Sequence, residues 1–316
     1  MREHFDDQLW QGELPPDLER VRVWAAALPL PAEPRWNAPR IRLAAPPVTR
    51  AQVWLPWAAG FLVVAGLGLI VRDTWRVEAL SGRPALSGMA FAGRVGLGGA
   101  VTTDETSRAR LEVPGRGMAI LGPGGRVIRG RRGVEPGLRL ERGTLETEVD
   151  ARQRLVIGTS VGSAVNLGGE CTVAVNDSGR GRLEVARGHV KLESAGRQDL
   201  LPAGYWAPLA STGAGVPRRA DASASFLAAV ALTDNPACQA DDFTPLLAQA
   251  SASDAITLWH LLPRVRGKVR RQVAERMASL VQVPEDVAIE RVLALEPAAL
   301  EAWWNALGAG RYEDFR

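Results

Sequence analysis

The chain has 316 residues and a mass of 33.9 kDa, more than one core comfortably holds and enough for roughly two domains. Hydrophobic residues at 46% and charged residues at 23% match folded proteins and exclude a wholly disordered chain. A net charge of +3, from 38 basic and 35 acidic residues, together with only two cysteines, argues against direct nucleic-acid binding, a disulfide scaffold and a Cys-quartet zinc site.

Residues 1–52 are too few to enclose much of a core. Pro15-Pro16-Asp17 reads as a helix start with an acidic first turn. Leu18, Val21, Ala25 and Leu28 then recur at spacings of three and four, giving one apolar face. Such a helix either lies on a surface without a partner or docks its apolar face in a partner's groove. Residues 29–50, with six prolines and several arginines, read as an extended linker. His4 is the only histidine of this segment, which argues against a zinc-stabilised module.

Between Arg50 and Arg72 lie 21 residues without a charge, Ala51 to Val71. At 1.5 Å per residue a helix of this length reaches about 30 Å, the thickness of a bilayer's hydrocarbon core. Trp54 and Trp57 at one end and Trp75 past the other suit the headgroup level. A buried core helix is the competing reading, but core helices are usually shorter. The run starts too far in for a cleavable signal peptide. A single transmembrane helix is therefore expected over 53–71. Four arginines in 33–52 against three in 72–91 favour a cytoplasmic N-terminus.

From about 87 to 210 the texture changes. Stretches such as RLEV (110–113), RLVIGT (154–159), CTVAV (171–175) and GRLEVARGHVKLES (181–194) alternate apolar and polar residues between glycines. That is the pattern of half-buried strands, and it predicts an all-β sandwich or a short β-solenoid. Gly143 and Gly188 recur in a weak internal echo, where a positive φ or a bulge is expected. Gly122-Pro123-Gly124-Gly125 lacks the Gly-Lys-Ser/Thr ending of a phosphate loop and reads as a hairpin turn. Arg126, Arg129, Arg131 and Arg132 read as a solvated edge strand protected by charge, or less readily as an anion site. Arginine outnumbers lysine 36 to 2 along the whole chain, so arginine richness marks no particular site.

Residues 156–204 carry a resemblance. Thr159, Gly162, Leu167, Gly168, Val185, Gly188, Val190, Pro202, Ala203 and Gly204 follow the strand and turn pattern of the periplasmic domain of FecR-like proteins. The resemblance reaches back to 134–149 and covers about a third of the chain. One departure is clear: where the family has Gly-Thr-x-Phe, this chain has Gly168-Gly169-Glu170-Cys171. Leu9-Trp10-Gln11-Gly12-Glu13 is similar to the N-terminus of membrane-anchored members. The resemblance implies a bacterial transmembrane anti-sigma regulator in the inner membrane, N-terminus cytoplasmic and C-terminus periplasmic. It implies a cytoplasmic segment that binds an extracytoplasmic-function sigma factor, and an outer β domain that receives an envelope signal from a protein or ligand. On that view Leu18, Val21, Ala25 and Leu28 are the partner-binding residues.

After a Gly/Ser/Arg-rich linker at 211–224 the period becomes helical, predicting a small α-helical bundle over 225–316. Ser253 is a candidate cap for a helix with Ile256, Trp259 and Leu262. Val265, Val269, Val273, Met277 and Leu280 mark a second helix. Leu300, Trp303, Trp304 and Leu307 mark a last one ending at Gly308, its tryptophans filling a core.

No enzyme is expected. His4, His189 and His260 lie in three different segments, each reading as a structural or surface residue. Cys171 has no basic neighbour in sequence to activate it. A Cys171–Cys238 disulfide is chemically allowed outside the cytoplasm, but the two lie in different expected domains. No catalytic set, metal site or cofactor site can be assembled. The leading reading is a signal-transducing regulator of transcription. The alternative is a structural or partner-binding envelope protein with a passive anchor.

Overall fold

The computed structural model describes residues 74–132, 135–235 and 237–312. The expected helix carrying Leu18, Val21, Ala25 and Leu28 and the expected span at 53–71 lie outside the described residues. Among the described residues, no helix is long and apolar enough to cross a membrane. The described chain is mostly β-sheet, followed by a helical part.

Sixteen strands are described: β1 (Trp75–Ser81), β2 (Ala85–Ser87), β3 (Ala90–Phe91), β4 (Arg94–Val95), β5 (Ala100–Thr102), β6 (Arg108–Val113), β7 (Gly117–Leu121), β8 (Arg126–Arg132), β9 (Glu135–Val149), β10 (Leu155–Gly158), β11 (Gly162–Val175), β12 (Gly181–Ser194), β13 (Arg197–Pro202), β14 (Tyr205–Ala210), β15 (Gly213–Ala214) and β16 (Arg218–Arg219). They begin twelve residues before the expected start at 87 and run past the expected end at 210. In β6 and β14 buried residues alternate with more exposed ones, as expected when one face meets the core and the other meets water.

Three long strands organise the sheet: β9, β11 and β12, each of 14 or 15 residues. Each changes partners part-way along. Up to Arg142, β9 pairs with β8 and β10; from Gly143 it pairs with β7 and β11. The first part of β11 pairs with β10, and from Gly169 it pairs with β9. The first part of β12 pairs with β14 and the last part with β13. The changes fall at glycines with positive φ: Gly143 (93°), Gly168 (110°), Gly169 (107°) and Gly188 (77°).

Two rows of strands result, joined through these bends. One row runs β2–β5–β8–β9–β10–β11–β12–β13 and the other β3–β4–β1–β6–β7–β9–β11–β12–β14. The pairings β9–β10, β10–β11 and β11–β9 close on themselves. All pairing is antiparallel except β9–β10. The strands thus form one largely antiparallel sheet whose corners are made by bent strands. Gly143 and Gly188 are thus bends inside continuous strands rather than hairpin turns.

Six α-helices follow: α1 (Ala224–Thr233), α2 (Phe243–Gln249), α3 (Ala255–Leu261), α4 (Gly267–Leu280), α5 (Ile289–Leu293) and α6 (Pro297–Ala306). Ser223 caps α1 by accepting from Phe226 N–H, satisfying one of the orphan donors of a first turn. The turn before α3 is closed by Ser251 and Asp254 in a reciprocal capping box, so Ser251, not Ser253, is the capping residue there. Trp303 and Trp304 are fully buried, with Val273 and Met277 of α4, as the periodicity implied. The helices pack largely on one another. Their buried residues belong to one continuous core that runs from Trp75 to Ala309 and includes both rows of strands.

Three local expectations are corrected. Trp75, expected at a membrane surface, is 3% exposed and lies under the Arg129 guanidinium, 4.9 Å from its ring centre. Strand β8 is no edge, because β5 and β9 flank it. Its Arg129 is buried and donates to Val95 O, while Arg126 pairs with Glu141 at 2.8 Å. The 122–125 turn is followed by β8 rather than a helix, but it joins strands that do not pair with each other. It is a crossing between rows rather than a hairpin.

Candidate functional site

The motif residues of 156–204 occupy turns and bends. Thr159 Oγ1 accepts from the N–H groups of Val161 and Gly162 and donates to Gly162 O, closing the β10–β11 turn. Gly162, Gly169 and Gly188 are held against facing backbone. A Cβ on them would lie 2.2, 2.2 and 1.9 Å from the carbonyl oxygens of Glu193, Arg187 and Gly168 respectively. Leu167 packs on the core at the β11 bend and Val190 is fully buried. Pro202 ends β13 opposite His189. Gly204, at φ 80°, donates to Val185 O across the following turn. These residues build the scaffold and converge on no chemical centre.

The departure at Gly168–Cys171 has a physical account. Cys171 is buried, and its thiol lies 3.2 Å from Thr147 Oγ1 and 3.6 Å from Asn166 Nδ2. Asn166, also buried, donates to Thr147 Oγ1 and Gly169 O and accepts from Gly168 N–H. Thr147, Asn166 and Cys171 thus form a small, satisfied polar cluster inside the β11 bend.

Burial pushes the Cys171 thiol up to about 11 despite those two hydrogen bonds. Cys238 is pushed up to about 11 by burial and by the Asp242 carboxylate. Both are free thiols. With such pKa values about one thiol in a thousand is ionised at pH 8. Alkylation by iodoacetamide at pH 8 is therefore expected to be slow in the folded chain, with the half-buried Cys238 modified first. Cys171 should react only on unfolding; its prompt labelling in the native protein, read by peptide mass, would contradict this geometry.

The densest polar cluster lies on the seam between sheet and helices. Asp199 of β13 is 3% exposed and His260 of α3 is 1% exposed. Asp199 accepts from Arg264 at 2.6 Å and faces His260 Nδ1 at 3.4 Å. His260 Nε2 lies 2.9 Å from Leu200 O. Both ring nitrogens thus lie against oxygen atoms of the seam, Asp199 on one side and Leu200 O on the other. Burial works to raise the Asp199 carboxyl, but the His260 hydrogen bond and the Arg264 charge outweigh it and hold it below the usual carboxylate range. Arg264 also donates to Ala214 O and Gly215 O.

Other ties lie along the same seam. Buried Arg218 pairs with Asp234 and donates to Val216 O. Trp206 carries the Arg182 and Arg218 guanidinium groups against its ring. Tyr205 donates to Ser253 O and Trp259 to Leu300 O. His189 Nε2 lies 3.1 Å from Ala309 O. A groove of about 760 Å³ opens beside the cluster, lined in part by Arg197, Arg264, Arg266, Asp234, Cys238 and Phe243.

The arrangement is suited to clamping helices onto a sheet by charge-assisted hydrogen bonds. His260 has both nitrogens engaged, and the buried Cys171 thiol is far from ionised. Among the described residues no group of three or more His, Cys, Asp or Glu side chains is placed to hold a metal ion. Sequence reasoning read His260 as structural or surface but missed its partners. The available signal was a charged residue, Asp199, opening the apolar run Leu200-Leu201, and a His inside the apolar helical run LWHLL.

No family model and no curated protein matches this chain. Two crystal structures of a candidate anti-sigma factor from Parabacteroides distasonis ATCC 8503, at 2.50 and 1.65 Å resolution, are similar in part. They share 13% and 12% identity, each with a TM-score of 0.35 over 41% of this chain. The match spans 62% and 63% of those chains, less than two thirds of their length.

Proposed function

We propose that this chain is a single-pass inner-membrane regulator of an extracytoplasmic-function sigma factor. The apolar face of Leu18, Val21, Ala25 and Leu28 holds the sigma factor on the cytoplasmic side. The β–helix body, on the periplasmic side, receives an envelope signal by protein contact. The observation that carries this reading is the order of segments in the sequence: an amphipathic pattern too short for its own core, an uncharged run of 21 residues, then a large body. The FecR-like motif supports it, because its glycines stand where the backbone of the body turns and bends.

The test is a two-hybrid screen of residues 1–52 against every sigma factor of the host. One partner is expected, and Val21→Asp with Leu28→Asp should abolish the signal. Failure with all of them overturns the regulatory reading. In spheroplasts, added protease is expected to reach the body but not residues 1–49; the reverse pattern would invert the topology. A second reading, an envelope-binding protein with a passive anchor, draws on the arginine-lined seam groove, and an empty screen would favour it.

A further inference from the structure

Apolar side chains left in water are unevenly placed on this body. Five large hydrophobic residues stand exposed among the described residues, and four of them fall within 80–97: Leu80 (39%), Met89 (63%), Phe91 (83%) and Leu97 (42%). The exception is Leu232, on α1. Scattered single exposures need no explanation, but this concentration does.

The pairing register fixes where the group lies. Trp75 of β1 faces Val95 of β4, which faces Ala90 of β3. In the next row Arg76 faces Arg94, which faces Phe91. Residues directly opposite one another in antiparallel strands leave the same face of the sheet. Phe91 therefore stands on the face of Arg76 and Arg94, about 10 Å from Arg76 at two strand spacings. Trp75, Val95 and Ala90 turn the other way, and Trp75 and Val95 are buried. Strand β3 ends its row of the sheet, and among the described residues no strand pairs with its outer side along that row.

The uncharged run ends at Val71, and β1 begins at Trp75. Four steps of chain reach at most about 14 Å. If 51–71 spans the bilayer, the first residues of β1 are held close to the headgroup layer, and β3 and β4 are held there with them. Arg76, exposed, and Arg94, half-buried, stand on the Phe91 face at this edge. Their charges complement anionic headgroups, and exposed aromatic and apolar side chains partition into the same layer.

We propose that the β3–β4 edge, with Phe91 and Met89 as its apolar tips and Arg76 and Arg94 as its cations, is a membrane-contacting surface that seats the body on an anionic phospholipid headgroup layer. The proposal rests on the reading of 51–71 as a span, and it adds a second contact that fixes how the body stands on that tether. It also gives the interfacial role to Phe91 rather than to the buried Trp75.

The test uses the full chain in vesicles of phosphatidylcholine and phosphatidylglycerol, with Cys238→Ser removing the half-buried thiol. An environment-sensitive fluorophore is attached at Phe91→Cys, or at Glu285→Cys in the helical part as a control; both are exposed positions. Doxyl-labelled lipid is expected to quench the probe at 91 and leave the probe at 285 unchanged. Met89→Asp is expected to reduce quenching at 91. An unquenched probe at 91, in chain that resists alkaline extraction, overturns the membrane contact and leaves the anchor standing. Cross-linking of 91 to 91 between two chains without quenching overturns it in favour of a second copy. Release of the chain by alkaline extraction overturns the anchor, and this proposal with it.

Discussion

Replacing Asp199 by alanine is expected to destabilise the body by about 3–5 kcal/mol, the range for breaking a buried ion pair from one side. The change leaves the Arg264 guanidinium without its carboxylate and His260 Nδ1 without the group it faces. The unfolding midpoint in urea at pH 7, read by tryptophan emission, reports it, because Trp259 packs edge-on to His260 at 5.1 Å. The sign with pH follows from the lowered Asp199 pKa. A carboxyl whose folded pKa lies below its unfolded value of about 3.9 contributes fully above that value. The contribution is lost as pH falls through the folded pKa. The gap between wild type and Asp199→Asn is thus expected to be widest near neutral pH and to narrow below about pH 4. Equal midpoints at pH 7 for wild type and Asp199→Ala would remove the seam cluster from the account of stability.

Gly188→Ala is expected to cost about 2–5 kcal/mol, and Gly204→Ala only about 1–2 kcal/mol. Both glycines have φ near 80°, at 77° and 80°, so both substitutions bear the left-handed strain of an L-residue. They differ in surroundings. A Cβ at 204 meets nothing within 4 Å, whereas one at 188 lies 1.9 Å from Gly168 O and 3.1 Å from Gly169 Cα. Relief at 188 requires β11 and β12 to part where both strands bend. Thermal unfolding of the two variants side by side decides it: equal losses would mean that close approach at the bend contributes nothing.

Much of the fold was legible in local pattern. Alternation in RLEV and CTVAV marked strands β6 and β11, and the spacing of Val273, Met277, Trp303 and Trp304 marked the buried faces of α4 and α6. Helix α1 was not legible: ASFLAAVALT is apolar nearly all round and shows no period. The errors arose where pairing over long sequence distance decides the outcome. Arg129 looks like an edge residue until β5 and β9 close around it. Trp75 looks interfacial until Arg129, 54 residues away in sequence, covers its ring. The Asp199–His260–Arg264 cluster joins a strand to the helices beyond it, and no short-range period connects them. The motif glycines were legible as turn-formers, but whether each makes a hairpin or a bend depends on partners that sequence spacing does not name.

The three bent strands also set the size of the cooperative unit. Each of β9, β11 and β12 contributes hydrogen bonds to both rows, so neither row can open without stripping pairs from the other. The seam ties then couple the helices to the same event. Local unfolding in proteins normally proceeds through smaller subunits of structure, and here the connectivity removes the natural dividing line. Such a body responds as one piece: a contact made at one surface reaches another as displacement of the whole, rather than as the melting of a part.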